Sequence, residues 1–291
     1  MGEKMMDMPK QRTDRKKKFH AEEMYTREFT ISIEVVPPPG DNALPLLSTL
    51  SSLNALPFQG FSVATNPVAK PCMSAMALCS LIQEKTEKPA ILHMTTRDHN
   101  RLSLQGELWG AKALGINTVM ICTGDFVAMK DRGITTTVRD LDLFTLIGMA
   151  CEAGLRTGVV FDIHPELNGL KKAVKHLEKK VEAGAQFAVT QPVYDEKGAE
   201  EILAATRHLP IPVIMGILPL RTSKHAEFLH NKVAGIAVPQ ALRTLMADSS
   251  DPVQDGAANA RDMVALARER FKGCCVMPPF NHYEVLSDIL G

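Results

Sequence analysis

From Phe29 onward, short apolar and β-branched runs alternate with longer stretches of helical periodicity, a pattern satisfied by parallel strands joined by crossover helices. The strand candidates are Phe29–Val36, Gly60–Thr65, Ala90–Met94, Asn117–Thr123, Arg156–Ile163, Phe187–Gln191, Val213–Leu218 and Cys274–Pro278. The intervening helices are amphipathic. One carries Leu170, Ala173, Val174, Leu177 and Val181 on its apolar stripe, with Lys171, Lys172, Lys175, Lys179 and Lys180 mostly on its other faces. A second runs Val253, Ala257, Ala260, Val264, Ala267, Phe271, opened by Asp251 and Pro252 and stopped by Gly273. An extra short helix, Gln240–Met246, is inserted before the last strand. Eight strands with helices between them predict an α/β fold, a closed (β/α)8 TIM barrel filling residues 29–291 as one domain. Residues 1–28 form a charged N-terminal arm, solvated or partly disordered, with a basic run at Arg15–Lys18.

Composition narrows the partners. Lys plus Arg equals Asp plus Glu at 33 each, so no global field draws the chain to nucleic acid or to anionic lipid. There is no secretory signal in the first 28 residues and no 18-residue apolar stretch, which predicts a soluble, cytoplasmic protein without membrane insertion. Six cysteines, at 72, 79, 122, 151, 274 and 275, show no metal-ligand spacing, so no metal site is expected. Cys72 and Cys79 are placed on one helix, too far apart to bridge, and Cys274 and Cys275 on opposite faces of a strand. Reduced thiols are the expectation.

Barrel chemistry sits where the strands end, because the loops there converge on one mouth. Glu34 interrupts the apolar run Ile31–Val36, where an unpaired carboxylate is costly and therefore either finds a partner or holds a raised pKa, as a general acid requires. His93 ends the third strand and Asp125, after Thr123 and Gly124, ends the fourth. His164-Pro165-Glu166 follows the fifth strand. Gln191 closes the sixth, ahead of Tyr194 and Asp195, and its amide can donate and accept at once. No Gly-x-Gly-x-x-Gly or Gly-x4-Gly-Lys-Ser/Thr motif is present, so a nicotinamide, if used, binds by shape at the mouth.

The series Glu34-x-x-Pro37-Pro38, Thr65-Asn66, His93, Thr123-Gly124-Asp125, His164-Pro165, Lys180-Val181-Glu182-Ala183-Gly184-Ala185, Thr190-Gln191-Pro192 and Gly216-Ile217-Leu218-Pro219-Leu220 resembles the methylenetetrahydrofolate reductase family, in its short bacterial form. The resemblance implies a flavoprotein of one-carbon metabolism that reduces 5,10-methylenetetrahydrofolate, with FAD (alternatively FMN) as cofactor and NAD(P)H as electron donor. By the same resemblance Glu34 is the general acid and Asp125 the carboxylate beside flavin and pterin. Gln191, Asp125, Tyr194 and His282 are implied for folate binding. Thr65, His93, Thr123, Gly124, Asp125, His164 and Lys180 are implied for the flavin, Lys180 near a phosphate. The chain departs from well-studied bacterial members at Thr123 and His282, where those carry arginine, and at Val160, where they carry tyrosine; Arg139, Ala173 and His176 also differ. A flavin that is weakly held or absent is therefore an open alternative. So are a folate-binding or electron-relay subunit of a larger complex and a pterin-dependent methyltransferase. A homo-oligomer through the helical exterior is the expected assembly.

Overall fold

The computed structural model describes residues 24–26, 28–163, 169–233 and 235–291. His164 and the basic run Arg15–Lys18 lie outside them. The eight strands are β1 (Thr30–Val35), β2 (Gly60–Val63), β3 (Ala90–Thr95), β4 (Thr118–Cys122), β5 (Arg156–Phe161), β6 (Phe187–Pro192), β7 (Val213–Ile217) and β8 (Gly273–Val276). Each pairs in parallel with the next, and β8 returns to β1, so the sheet is closed. The helices are α1 (Leu44–Ser52), α2 (Ala75–Thr86), α3 (Arg101–Ala113), α4 (Leu143–Glu152), α5 (Gly169–Glu182), α6 (Glu196–Thr206), α7 (Ser223–Lys232), α8 (Gln240–Asp248), α9 (Pro252–Arg270) and α10 (Leu286–Leu290). No helix among the described residues is long and apolar enough to cross a membrane.

Period-2 alternation divides the strand residues between two cores. Ile31, Ile33, Val35, Leu92 and Cys274 face outward and pack beneath the helices. Ile91, Met120, Phe187, Val189, Ile214 and Cys275 fill the barrel interior. The two adjacent cysteines thus point to opposite faces, and all six are free thiols. Gly158 makes room for this interior: a Cβ there would lie 2.1 Å from Phe187 Cζ. No side chain but hydrogen can oppose that ring.

Residues 24 and 25 belong to this inner core. Met24 and Tyr25 are buried in the same cluster as Phe187, and the Tyr25 hydroxyl lies 2.5 Å from Ser32 Oγ. Arg156, the first residue of β5, donates to the Met24 and Tyr25 carbonyls at 2.7 and 2.9 Å. Gly60 and Gly273, which begin β2 and β8, also abut Met24 and Tyr25. Most of these contacts are to the first residues of β2, β5, β6 and β8, with Ser32 of β1 a little deeper, so this segment plugs the N-terminal end of the barrel. The end of the expected arm is therefore packed rather than solvated.

Helix boundaries follow their caps. Asp251 accepts from the Gln254 amide with Pro252 in the first turn of α9, as the sequence predicts. Cys72 does not share a helix with Cys79: Ser74 caps α2 through the Ala77 amide, and Cys72 lies before it with its own amide on Asn66 Oδ1. In α5 the buried positions are Ala173, Val174, Leu177 and Lys180. Lys180 follows Leu177 by three residues and so falls on the apolar stripe, away from the other lysines. The inserted helix α8 packs with α7 and Tyr194 in a satellite cluster of its own.

Candidate active site at the barrel mouth

Glu34 faces inward because Ile33 and Val35 on either side face the helices. Burial, and then the charge of Asp125, push its carboxyl up to about 7. Beside it in register stands Ser62, whose Oγ lies 2.7 Å from His93 Nε2. Burial pulls His93 down to about 4, so its imidazole is neutral at physiological pH. Tyr283 also reaches this corner: burial and the charge of Glu34 raise its phenol well above the ordinary range, and its hydroxyl meets the Val36 backbone. Sequence reasoning missed Tyr283. Its signal is faint, a lone aromatic hydroxyl seven residues beyond β8 in a segment with no periodicity.

Asp125 stands at the mouth with its side chain exposed. Oδ2 accepts from the Val68 amide at 2.5 Å, and the carbonyl accepts from Arg97 Nη1 at 3.0 Å. Gly124 before it has φ +83°, and a Cβ there would press on Arg97 and Thr95 at 3.1–3.2 Å. Glycine is what this close, left-handed turn admits. Thr123 is exposed next to it, and Thr65 is half-buried in a cavity of about 250 Å³ that His93 and Asn66 also line.

A second group of residues gathers where β5 and β6 end. The register between β6 and β7 shifts after Val189, and there Gln191 Nε2 donates to Asp162 Oδ1 at 2.8 Å. Asp162 is a further residue that sequence reasoning passed over. Its signal was an Asp closing an apolar strand, the same signal used for Asp125. Lys180 is 3% exposed and donates to the Val160 carbonyl at 2.6 Å. Burial lowers its ammonium pKa, and the charges of Asp162 and Cys122 oppose that shift. Cys122 lies between the two groups: burial raises its thiol to about 12, and Asp162, Asp125 and Arg97 all act on it.

His282 sits apart from both groups, and Tyr194 adjoins the second only through a shared cavity. Tyr194 is buried in the satellite cluster, and its hydroxyl has no hydrogen-bond partner among the described residues. It lines a cavity of about 590 Å³ together with Gln191, Arg243 and His230. His282 pairs through Nδ1 with Glu284 Oε1 at 2.5 Å on the segment after β8. The structure thus brings Glu34, Asp125 and His93 together at one side of the mouth and Gln191 and Lys180 at another.

A family model described as methylenetetrahydrofolate reductase matches residues 18–274, nearly all of the barrel. A 5,10-methylenetetrahydrofolate reductase of Pectobacterium carotovorum is 25% identical over 253 residues, covering 84% of this chain and 83% of that protein. A Caenorhabditis elegans protein named "Probable methylenetetrahydrofolate reductase (NADPH)" is 27% identical over 160 residues, which are 52% of this chain and 23% of its own length. Among solved structures, a Clostridium thermocellum protein described as binding two copies of 5-methyl-5,6,7,8-tetrahydrofolic acid aligns with TM-score 0.64 at 14% identity, covering 90% of this chain and 93% of that one. A 2,3-dimethylmalate lyase aligns with TM-score 0.51 at 13% identity, covering 89% and 79%. At such identities the two structures speak for the barrel alone, whereas the family model spans strand ends that carry Glu34, Asp125 and Gln191: the chain belongs to the methylenetetrahydrofolate reductase family.

Proposed function

We propose that this chain interconverts 5,10-methylenetetrahydrofolate and 5-methyltetrahydrofolate as a flavin-dependent reductase fed by NAD(P)H. The observation that carries the reading is Glu34, a carboxyl raised to about 7 inside the mouth of a barrel of this family. At neutral pH a substantial fraction of it holds a proton, so it can deliver one to the folate nitrogen as the five-membered ring opens. Asp125, held by the Val68 amide and Arg97, places negative charge where a cationic folate develops. Gln191 spends one amide N–H on Asp162, which orients the remaining donor and acceptor toward the pterin edge. Tyr194, lining the cavity it shares with Gln191, and His282, on the segment after β8, would meet the rest of the folate.

The residues present fit a flavin. Gly124 admits the tight left-handed turn that brings Asp125 to the rim, and neutral His93 adds no positive charge to the site. Among the described residues the Lys180 ammonium donates to Val160 O alone, leaving N–H donors for a phosphate. Thr65 and Thr123 would complete the cradle together with His164. FAD is the cofactor favoured, with FMN the alternative; when bound it would relay reducing equivalents between nicotinamide and folate. Free thiols at all six cysteines support a reducing, cytoplasmic setting.

The test is the visible spectrum of the purified chain and the mass of any released chromophore. A flavin spectrum bleached anaerobically by NADH or NADPH and restored by 5,10-methylenetetrahydrofolate is the expected result. A colourless protein that stays inactive after FAD or FMN is added would overturn the reading.

A further inference from the structure

The loops that follow β2, β3 and β4 are tied together by one side chain. Arg97, two residues beyond β3, is 4% exposed. Its Nε and Nη2 donate to the two carboxylate oxygens of Asp98 at 2.5 and 2.7 Å. Nη1 donates to the Asp125 carbonyl at 3.0 Å and Nη2 also to the Asn66 carbonyl at 3.1 Å. The Arg97 carbonyl accepts from the Val138 amide at 2.9 Å, farther along the loop that carries Asp125. Asp98 in turn accepts from Asn66 Nδ2 at 3.1 Å and from Thr95 Oγ1 at 3.3 Å. The guanidinium fork is therefore shared among three loops at once.

One of those loops is strained. Asn66, Val68 and Ala69 have φ of +40°, +50° and +54°. Val68, β-branched and 70% exposed, gains nothing from burial there. Such backbone persists only where its surroundings over-determine it. The surroundings here are Arg97 donating to the Asn66 carbonyl, Asp98 accepting from the Asn66 side-chain Nδ2, and the Asp125 carboxylate accepting from the Val68 backbone N–H. Arg97 thus holds Asp125 twice, by its carbonyl directly and by its carboxylate through the turn that presents Val68.

We infer that Arg97 is a positioning residue: it fixes where the Asp125 carboxylate stands at the mouth by clamping the Asp125 backbone and the strained Asn66–Ala69 turn together. The inference rests on the reductase reading for Asp125's part in the reaction. Lysine can keep the charge but not the fork, since a single ammonium cannot reach a carboxylate and two carbonyls in the directions a planar guanidinium does.

The experiment compares turnover of 5,10-methylenetetrahydrofolate in wild type, R97K, R97A, D125N and R97K/D125N, with thermal unfolding as the check on folding. R97K is expected to lower kcat at least tenfold while the nicotinamide KM stays within twofold, and the double variant to match D125N within twofold. Guanidinium ion at millimolar concentration should restore part of the R97A loss; if R97A does not fold, R97K carries the comparison. Losses that multiply in the double variant would overturn the inference, because Arg97 would then act independently of Asp125. A second readout needs no turnover: amide exchange of the peptide carrying Val68 should quicken at least tenfold in R97K, and unchanged exchange would overturn the clamp. A wild type with R97K-sensitive exchange but no folate turnover would instead sink the reductase reading and, with it, the catalytic purpose of the clamp.

Discussion

Replacing Glu34 with Gln tests the electrostatics of the mouth through stability, independently of any substrate. The carboxyl rises from an ordinary 4.5 to about 7, chiefly by burial. A proton is therefore bound more tightly in the folded state, and folding is progressively disfavoured as pH climbs from about 4.5 to about 7, reaching a constant penalty above that. At roughly 1.4 kcal/mol for each tenfold change in proton affinity, the penalty comes to about 3 kcal/mol. Glutamine has the shape of the protonated acid and never ionises. E34Q should therefore unfold at higher urea than wild type at pH 8, by the equivalent of about 3 kcal/mol, and match it within about 1 kcal/mol at pH 5. Urea titrations of both proteins at the two pH values read this directly. A difference between wild type and variant that is the same at pH 5 and pH 8 would refute the assignment of a raised pKa to Glu34. The same substitution should abolish folate turnover while reduction of the flavin by nicotinamide continues.

Other consequences follow from the geometry. Because the Asp125 charge helps raise Glu34, D125N should lower the Glu34 pKa and move the alkaline fall in folate turnover to lower pH; an alkaline limb that stays in place would count against their coupling. Removing residues 1–26 deletes the Met24–Tyr25 plug and should cost about 4 kcal/mol of stability, read as a lower urea midpoint. Gly158→Ala should destabilise by about 3 kcal/mol through its clash with Phe187, and Phe187→Leu in the same chain should return part of that loss. Lys180→Met should leave the thermal midpoint of the flavin-free protein within a few degrees, since burial already disfavours that charge, yet raise the flavin dissociation constant at least tenfold.

The sequence by itself determined the barrel and marked the strand ends at which its polar residues gather. Alternation with period two along β1 places Ile31, Ile33 and Val35 against the helices and so turns Glu34 to the interior. A Gly before Asp125, at the end of a strand, reads as a tight turn at the mouth. These are short-range signals, set by backbone geometry over a few residues, and composition carries them. Lys180 was legible only in part: the resemblance singled it out, while counting lysines left it among the solvated faces until its place three residues after Leu177 in α5 showed it buried.

What only the tertiary structure decided lies across long sequence separations. Arg156 meets Met24 across 132 residues, and that contact turns the end of a charged arm into a barrel plug. Val68 meets Asp125 across 57 residues, Gln191 meets Asp162 across 29, and Arg97 joins loops from three different βα units. No periodicity encodes such pairs. They exist because closing eight parallel strands brings every C-terminal strand end to one rim, where polar groups shielded from water must find partners among whatever loops arrive there. Which partner each finds is a property of the closed barrel, and this choice sets the stance of Asp125, while closure itself buries Glu34 and so raises its pKa.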